Sequence, residues 1–456
     1  MTDSAGKDLT AGKPLKLILG FAVPMLLGYL FQQFYNMVDT IVVGKCLGVS
    51  ALASVGSTSS INFMINGFCI GVCSGFSIPV AQRFGAGDGR GLRRFAANAA
   101  WLALIFSVVM TILVGVLCMD ILRWMDTPED IIQGAYDYIF IIFMGIPVTY
   151  LYNLLAGIIR SLGDSRTPVY FLLLSSVLNV ALDFYSILGL GMGVDGPALA
   201  TVFSQGVSAV LCFFYMFRRF PILRMSAKER KPDWGLMKIL CGMGVPMGLQ
   251  YSITAIGSVV LQTAVNSLGS MAVAAVSTGN KVSMFFCCPF DALGGTMATW
   301  AGQNVGAEKF DRVRQGALTA SLLGFAYSLT AFLVLLFGGK YIALLFLDPG
   351  ETEIISRVSQ FLIGNSMFYI PLTLVNVLRF AIQGMGFSGF AILAGVCEMF
   401  ARTFVGFFLV PVFGFLPACF ASPLAWICAD LFLVPAFFHC LKRLKTEAGL
   451  KNGGGA

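Results

Sequence analysis

Apolar runs about as long as a bilayer is thick recur along this chain. They constrain its fold more than any other feature. A helix needs roughly twenty apolar residues to cross the hydrocarbon core. About twelve such runs can be placed, near 15–43, 51–82, 95–119, 135–160, 167–189, 194–217, 237–266, 271–302, 315–338, 357–383, 388–411 and 417–440. Backbone in lipid must satisfy its own hydrogen bonds, so only helices or a closed barrel can span it. The runs lack period-two alternation, which selects helices. Hydrophobic residues make up 57% of the chain and charged residues 12%, against about one quarter charged in soluble domains. The expectation is an all-α integral membrane protein of about twelve transmembrane helices.

The runs form an inexact duplication with an offset of about 221 positions. GVSALASVG from Gly48 matches GSMAVAAVS from Gly269. Gln82, Gly85, Ala86 and Arg93 match Gln303, Gly306, Ala307 and Arg314. Val23-Pro24 falls near Val245-Pro246, Asn153 meets Asn376, and RSLGDS from Arg160 meets QGMGFS from Gln383. Duplicated apolar chains are a recurrent architecture of transporters, with the bound species between the copies. Two pseudo-symmetric six-helix lobes are expected: 1–217 as the N-lobe, 218–236 as a cytoplasmic linker, 237–445 as the C-lobe and 446–456 as a disordered tail. An even number of spans per lobe makes the repeats parallel.

Basic residues orient the chain. Lys7, Lys13 and Lys16 precede the first run; Arg83, Arg90, Arg93 and Arg94 follow the second. Six more cluster between Arg218 and Lys231, and Lys442, Arg443 and Lys445 follow the last. The opposite loops hold little beyond Lys45, Arg123, Lys340 and Arg357. By the positive-inside rule both termini are cytoplasmic. The net charge of +7 is therefore a topology signal spread over short loops, and no nucleic-acid partner is expected. The first run lacks a signal-peptide cleavage site and is expected to stay as a span.

Chemistry can be narrowed by elimination. No GxxxxGK[ST] phosphate loop occurs. One histidine, His439, cannot serve a hydrolytic triad or a zinc site, and the twelve cysteines read as buried free thiols. No enzyme activity, metal or cofactor is expected, and uphill movement would have to be driven by an ion gradient.

The informative residues are polar ones inside apolar runs, where a charge costs about 2.5–3.5 kcal/mol on insertion scales. Asp39 lies in QQFYNMVDTIVVG; Asn179 and Asp183 lie one turn apart in LNVALDF. Together they could cage a proton or a hard cation such as sodium. The alternative places Asp39 at headgroup level and Asp183 at a loop. The second copy has no Asp matching Asp39, but Glu398 and Arg402 are spaced i,i+4 as a charge pair, either coupling or fold-stabilising. Arg379 and Asp291 are further charges in apolar runs. Among the abundant Met and Phe residues most pack or face lipid, with Tyr35, Met284 and Phe286 as candidate cavity residues for amphipathic cations. Pro24 and Pro246 either kink their helices or sit in a first turn.

Three stretches together resemble the multidrug and toxic compound extrusion (MATE) family. They are VPMLLGYLFQQFYNMVDTIVVGKCLGVSALASVG, RSLGDSRTP at 160–168, and NVALDF followed by GMGVDGPALAT at 179–201. The resemblance covers about 15–440. It implies a V-shaped, twelve-helix antiporter of the bacterial or archaeal cell membrane, exporting organic cations for H+ or Na+ by alternating access. It places a DinF-type coupling site on Asp39, Asn179, Asp183 and Thr201, a hinge at Pro24 and a cavity residue at Asn153. Gln250, Gln262, Asn376 and Arg379 stand where the NorM branch carries second-lobe carboxylates, so the chain is read as closer to DinF.

The function expected is secondary active multidrug efflux by a monomer in contact with membrane lipid. A lipid-linked oligosaccharide flippase of the same superfamily is the alternative, supported by Arg379 and Arg402 alone. A passive channel is the third reading.

Overall fold

The computed structural model describes residues 7–453. Among them the chain is helical, with short connections. The helices are α1 (Pro14–Leu47), α2 (Val49–Ser57), α3 (Ser59–Gly85), α4 (Gly89–Trp124), α5 (Glu129–Met144), α6 (Ile146–Ser161), α7 (Arg166–Phe184), α8 (Asp195–Arg219), α9 (Trp234–Asn266), α10 (Ser270–Gly306), α11 (Phe310–Ala343), α12 (Thr352–Ser366), α13 (Tyr369–Gly384), α14 (Ser388–Phe404), α15 (Val410–Phe413) and α16 (Phe415–Gly453). Single π-helical turns, Tyr185–Gly189 and Val405–Leu409, follow α7 and α14.

Ten helical stretches are long and apolar enough to cross a membrane alone, and two bent pairs bring the number to twelve. The pairs are α5 with α6, bent by 45°, and α12 with α13, bent by 50°. Each break has the same local cause. Pro147 and Pro371 stand in the first turns of α6 and α13. Proline lacks the N–H that would continue the preceding helix, yet is well tolerated in a first turn. The breaks are thus duplicated with the rest of the chain. Gly48 and Gly269, at the starts of α2 and α10, are duplicated too. Their φ of +87° and +92° is a region only glycine enters without strain.

The chain divides into two compact units. Unit 1 holds Leu27–Gly248 with the chain up to Asp8; unit 2 holds Leu9–Leu26 and Leu249 onward. Each of the long helices α1 and α9 therefore contributes its first part to one unit and the remainder to the other. In unit 1, α3 packs on α6, α6 on α8, and α7 on α8, around Val72, Cys73, Phe76, Tyr150 and Ile159, all essentially inaccessible. The first part of α9 lies backbone to backbone against α3: a Cβ on Gly75 would sit 2.5 Å from Gly244 Cα. In unit 2, α10 packs on α13 and α11, and α14 and α13 on α16.

The segment before each of those long helices is tied down by polar contacts. In unit 2, Leu9 N donates to Gln303 Oε1 (2.9 Å), Lys309 Nζ to Thr10 O (3.0 Å) and Arg312 Nη1 to Gly12 O (3.0 Å). In unit 1, Arg93 pairs with Glu229 (2.7 Å), Asp233 N donates to Asn98 Oδ1 (2.7 Å) and Trp101 Nε1 to Arg230 O (3.0 Å). The Arg93 guanidinium and the Ser226 amide hold the Glu229 carboxyl below its ordinary 4.5, at about 2.

Two boundaries differ from expectation. The connection between α8 and α9 is 220–233, because Arg218 and Arg219 end α8 and Trp234 already begins α9. The stretch from 446, expected to be disordered, instead continues α16 as far as Gly453. The cause is local: Arg443 pairs with Glu447 across one turn (2.9 Å), Lys445 reaches Asp311 (2.7 Å), and only isolated Gly449 interrupts good helix formers before the terminal glycines. Residues 454–456 of that expected tail lie outside the described residues. All twelve cysteines are free thiols.

Candidate functional site

Three helices of unit 1 bring polar groups to one place in an otherwise apolar interior. α1 offers Tyr35 and Asp39, one turn apart. α7 offers Asn179 and Asp183, also one turn apart. Thr201 comes from α8. Spacing of four residues aligns each pair on one helix face, so two helices that face one another at this level present four polar side chains. The Tyr35 hydroxyl lies 3.3 Å from Thr201 Oγ1. The Asn179 amide satisfies both neighbours with its nitrogen donating to Asp183 Oδ2 (3.1 Å) and its oxygen accepting from Thr201 Oγ1 (3.2 Å) and Thr201 N (3.0 Å). Asp39 and Asp183 approach within hydrogen-bonding reach of one another.

The environment is closed. Asn179 and Asp183 are 1% and 0% exposed. Asp39 is partly exposed as a residue, but its Oδ1 and that of Asp183 are shut off from solvent without a hydrogen-bond partner. Among the described residues neither carboxylate is paired with an arginine or lysine. Two adjacent carboxylates in low dielectric need a bound positive charge between them. The oxygens at hand belong to Asp39, Asp183, Asn179, Thr201 and Tyr35, a set that suits a proton or a hard monovalent cation. Among the described residues no group of three His, Cys, Asp or Glu is placed to hold a metal ion.

Asp183 lies inside α7, not in a loop, and the π turn begins two residues after it. Such turns widen the helix and recur at functional positions. Tyr138 of α5, 7% exposed, interacts electrostatically with Tyr35, Asp39 and Asp183. Nothing in the sequence separates it from the other aromatics.

The remaining candidates are placed as follows. Asn153 donates to Thr149 O of its own helix (2.8 Å). Met284 on α10 is 49% exposed, and Phe286, half-buried, accepts from Tyr327 through its carbonyl (3.0 Å). These two belong to unit 2, whereas Tyr35 joins the carboxylates of unit 1. Pro24 lies inside α1, which begins at Pro14, so the first-turn reading is excluded. Pro246 is likewise inside α9. The unit boundary crosses α1 and α9 just beyond these prolines, at 26/27 and 248/249.

In unit 2, Glu398 and Arg402 of α14 pair at 3.3 Å, and Arg379 of α13 binds the other carboxylate oxygen. All three are at least nine-tenths buried. Gln383 Nε2 donates to Gln250 Oε1 at 2.6 Å. Both arginines are thus engaged by an acid, and the flippase reading loses the cationic groups on which it rested.

A family model described as MatE matches residues 24–185 and, again, 246–408. The chain is 31% identical to "Probable multidrug resistance protein YoeA" of Bacillus subtilis over 344 residues, 74% of each chain. It is 22% identical to "FAD transporter" of Shewanella oneidensis over 392 residues, 84% of this chain and 85% of the relative. Its fold is similar to that of "Outward-facing conformation of a multidrug resistance MATE family transporter of the MOP superfamily", with TM-score 0.90, 22% identity, and 98% and 99% of the two chains covered.

Proposed function

The chain belongs to the MatE family, and from that premise we propose that it is a multi-pass membrane transporter that exports drug-like organic cations in exchange for H+ or Na+. It is a transporter and not an enzyme. One observation carries the coupling part of this reading: Asp39 and Asp183 face one another in unit 1, each with one unpartnered, closed-off oxygen and, among the described residues, no basic neighbour. A bound proton or sodium ion neutralises the pair; its loss restores two like charges in low dielectric, a state that the protein relieves by changing conformation.

The proposed cycle has three steps. Drug leaves to the outside as Asp39 or Asp183 takes a cation. The neutralised α1 shifts near Pro24, and the protein returns inward by alternating access. The cation is then released to the cytoplasm. Asn179 and Thr201 orient the carboxylates, and Tyr35 lies where cation and drug compete. The assignment to a DinF-type arrangement, with the cation site in unit 1, belongs to the same proposal. So do a monomeric state, contact with membrane lipid and a bacterial or archaeal cell membrane with both termini cytoplasmic.

Proteoliposomes with imposed proton or sodium gradients, followed with a fluorescent cation, test it. The wild type is expected to export against one of the gradients, and Asp39→Asn is expected to be expressed but inactive. Normal export by that variant would sink the proposal. Passive conduction without a gradient would identify a channel instead.

A further inference from the structure

One stripe of α10 in unit 2 is exposed and polar, and the unit 1 cycle makes no use of it. Ser277, Asn280, Lys281 and Asp291 are exposed, and Met284 among them is 49% exposed. At about 3.6 residues per turn these five side chains point within about 100° of one another. α10 is also one of the helices long and apolar enough to cross a membrane. A surface that meets lipid is expected to be apolar, and α11 of the same unit has one. It exposes Leu318, Leu322, Leu329, Leu333, Val334 and Phe337, between 43% and 75% each. The α10 stripe instead offers an amide, a hydroxyl and two charges. Charge against hydrocarbon is costly, so this stripe borders water.

Lys281 is the member that calls for an explanation. It stands about 16 Å of helix rise from the first residue of α10, Ser270. None of the ion pairs among the described residues includes it. Asp291, the acid of its own stripe, lies about 15 Å further along the helix, beyond the reach of a direct pair. The buried Arg379 and Arg402, by contrast, already share Glu398. Nor does the scaffold require the charge. At the duplication offset of about 221 positions, Lys281 falls on Ser60 and Asp291 on Ile70. α3 therefore forms the equivalent helix with no charge at either position.

We propose that Lys281 binds an anionic oxygen group of the exported molecule, so that the substrates are amphipathic zwitterions, with an acid as well as a basic centre. A lone ammonium beside water repels a pure cation and attracts a carboxylate, to which it can donate a charge-assisted hydrogen bond. Lysine acts here as a point charge on a flexible stem, which suits acids held at varied positions. The Met284 thioether, one turn away, offers a polarisable surface to the apolar body of such a molecule. The inference rests on the efflux reading and narrows its substrate class.

Binding of rhodamine B, which carries a free carboxylate, and of its cationic methyl ester tests the proposal. Fluorescence anisotropy with the purified full-length protein reads both dyes without any gradient. Lys281→Gln is expected to weaken rhodamine B binding about tenfold, the size of one charge-assisted hydrogen bond, and to leave the ester unweakened. Lys281→Arg should retain the rhodamine B affinity, and Lys281→Glu should turn the preference towards the ester. A lysine that merely keeps the helix soluble would treat the two dyes alike. Equal effects of Lys281→Gln on both dyes, no effect on either, or no binding of rhodamine B to the wild type would overturn the proposal. Gradient-driven export of the ester in proteoliposomes is read separately: its absence would count against the efflux reading and leave the dye preference at Lys281 standing. Thermal unfolding checks that each variant is folded, and the contrast of Arg with Glu keeps the test decisive if the Gln variant is not.

Discussion

At the residue scale, the polar groups of unit 1 hold one another in place. Asn179 is the keystone because it meets both an acid and a hydroxyl. Asn179→Ala leaves Asp183 Oδ2 without a donor, and a buried polar atom stripped of its partner costs about 1–3 kcal/mol. The expected outcome is a lowered unfolding temperature together with at least tenfold slower drug export; unchanged stability would show that the amide does not serve Asp183. Asp39, Asn179, Asp183, Glu398 and Arg402 were all legible in the sequence, since polar residues stand out in an apolar run and a spacing of four puts a pair on one face. That Arg379 binds Glu398 was not, because the two stand on different helices, α13 and α14. Tyr138 was illegible for the same reason: only packing places it beside the acids.

At the scale of elements, the duplication repeats local devices more faithfully than it repeats charges. Pro147 and Pro371 break equivalent helices, Gly48 and Gly269 start equivalent ones, and π turns follow both α7 and α14. Those two helices also carry buried polar side chains, Asn179 and Asp183 in one copy, Glu398 and Arg402 in the other. The close approach of α9 to α3 depends on glycine at both helices. Gly75→Val would push a side chain into the backbone at Gly244, so it is expected to destabilise unit 1 by about 1–3 kcal/mol, the usual cost of overpacking. Wild-type unfolding temperature in that variant would contradict the packing described. The strap at 226–233 gives a pH dependence. Because the folded Glu229 carboxyl is depressed from 4.5 to about 2, its contribution is fully present above 4.5 and fades as pH falls towards 2. Melting curves of wild type and Glu229→Gln should therefore differ at neutral pH and converge only in that acid window. Convergence at neutral pH would show that the Arg93 contact adds nothing.

At the scale of the whole molecule, the spread of basic residues predicts that epitope tags at the two termini are reached by antibody only after the cells are permeabilised; staining of either tag in intact cells would reverse the proposed topology. The sequence by itself determined the membrane setting, the twelve crossings, the duplication and most of the residues able to carry charge. Each of these rests on local pattern: length of apolar runs, spacing along one helix, and glycine or proline at a turn. Tertiary structure alone decided how α1 and α9 are shared between the units, and that Asp39 meets Asp183. It also decided that Arg379 of α13 joins the Glu398–Arg402 pair. The physical reason is that a helix sets the directions of its own side chains, whereas the partner a buried charge acquires depends on which helix packs against it, and that choice is made by apolar surfaces distributed over the entire chain.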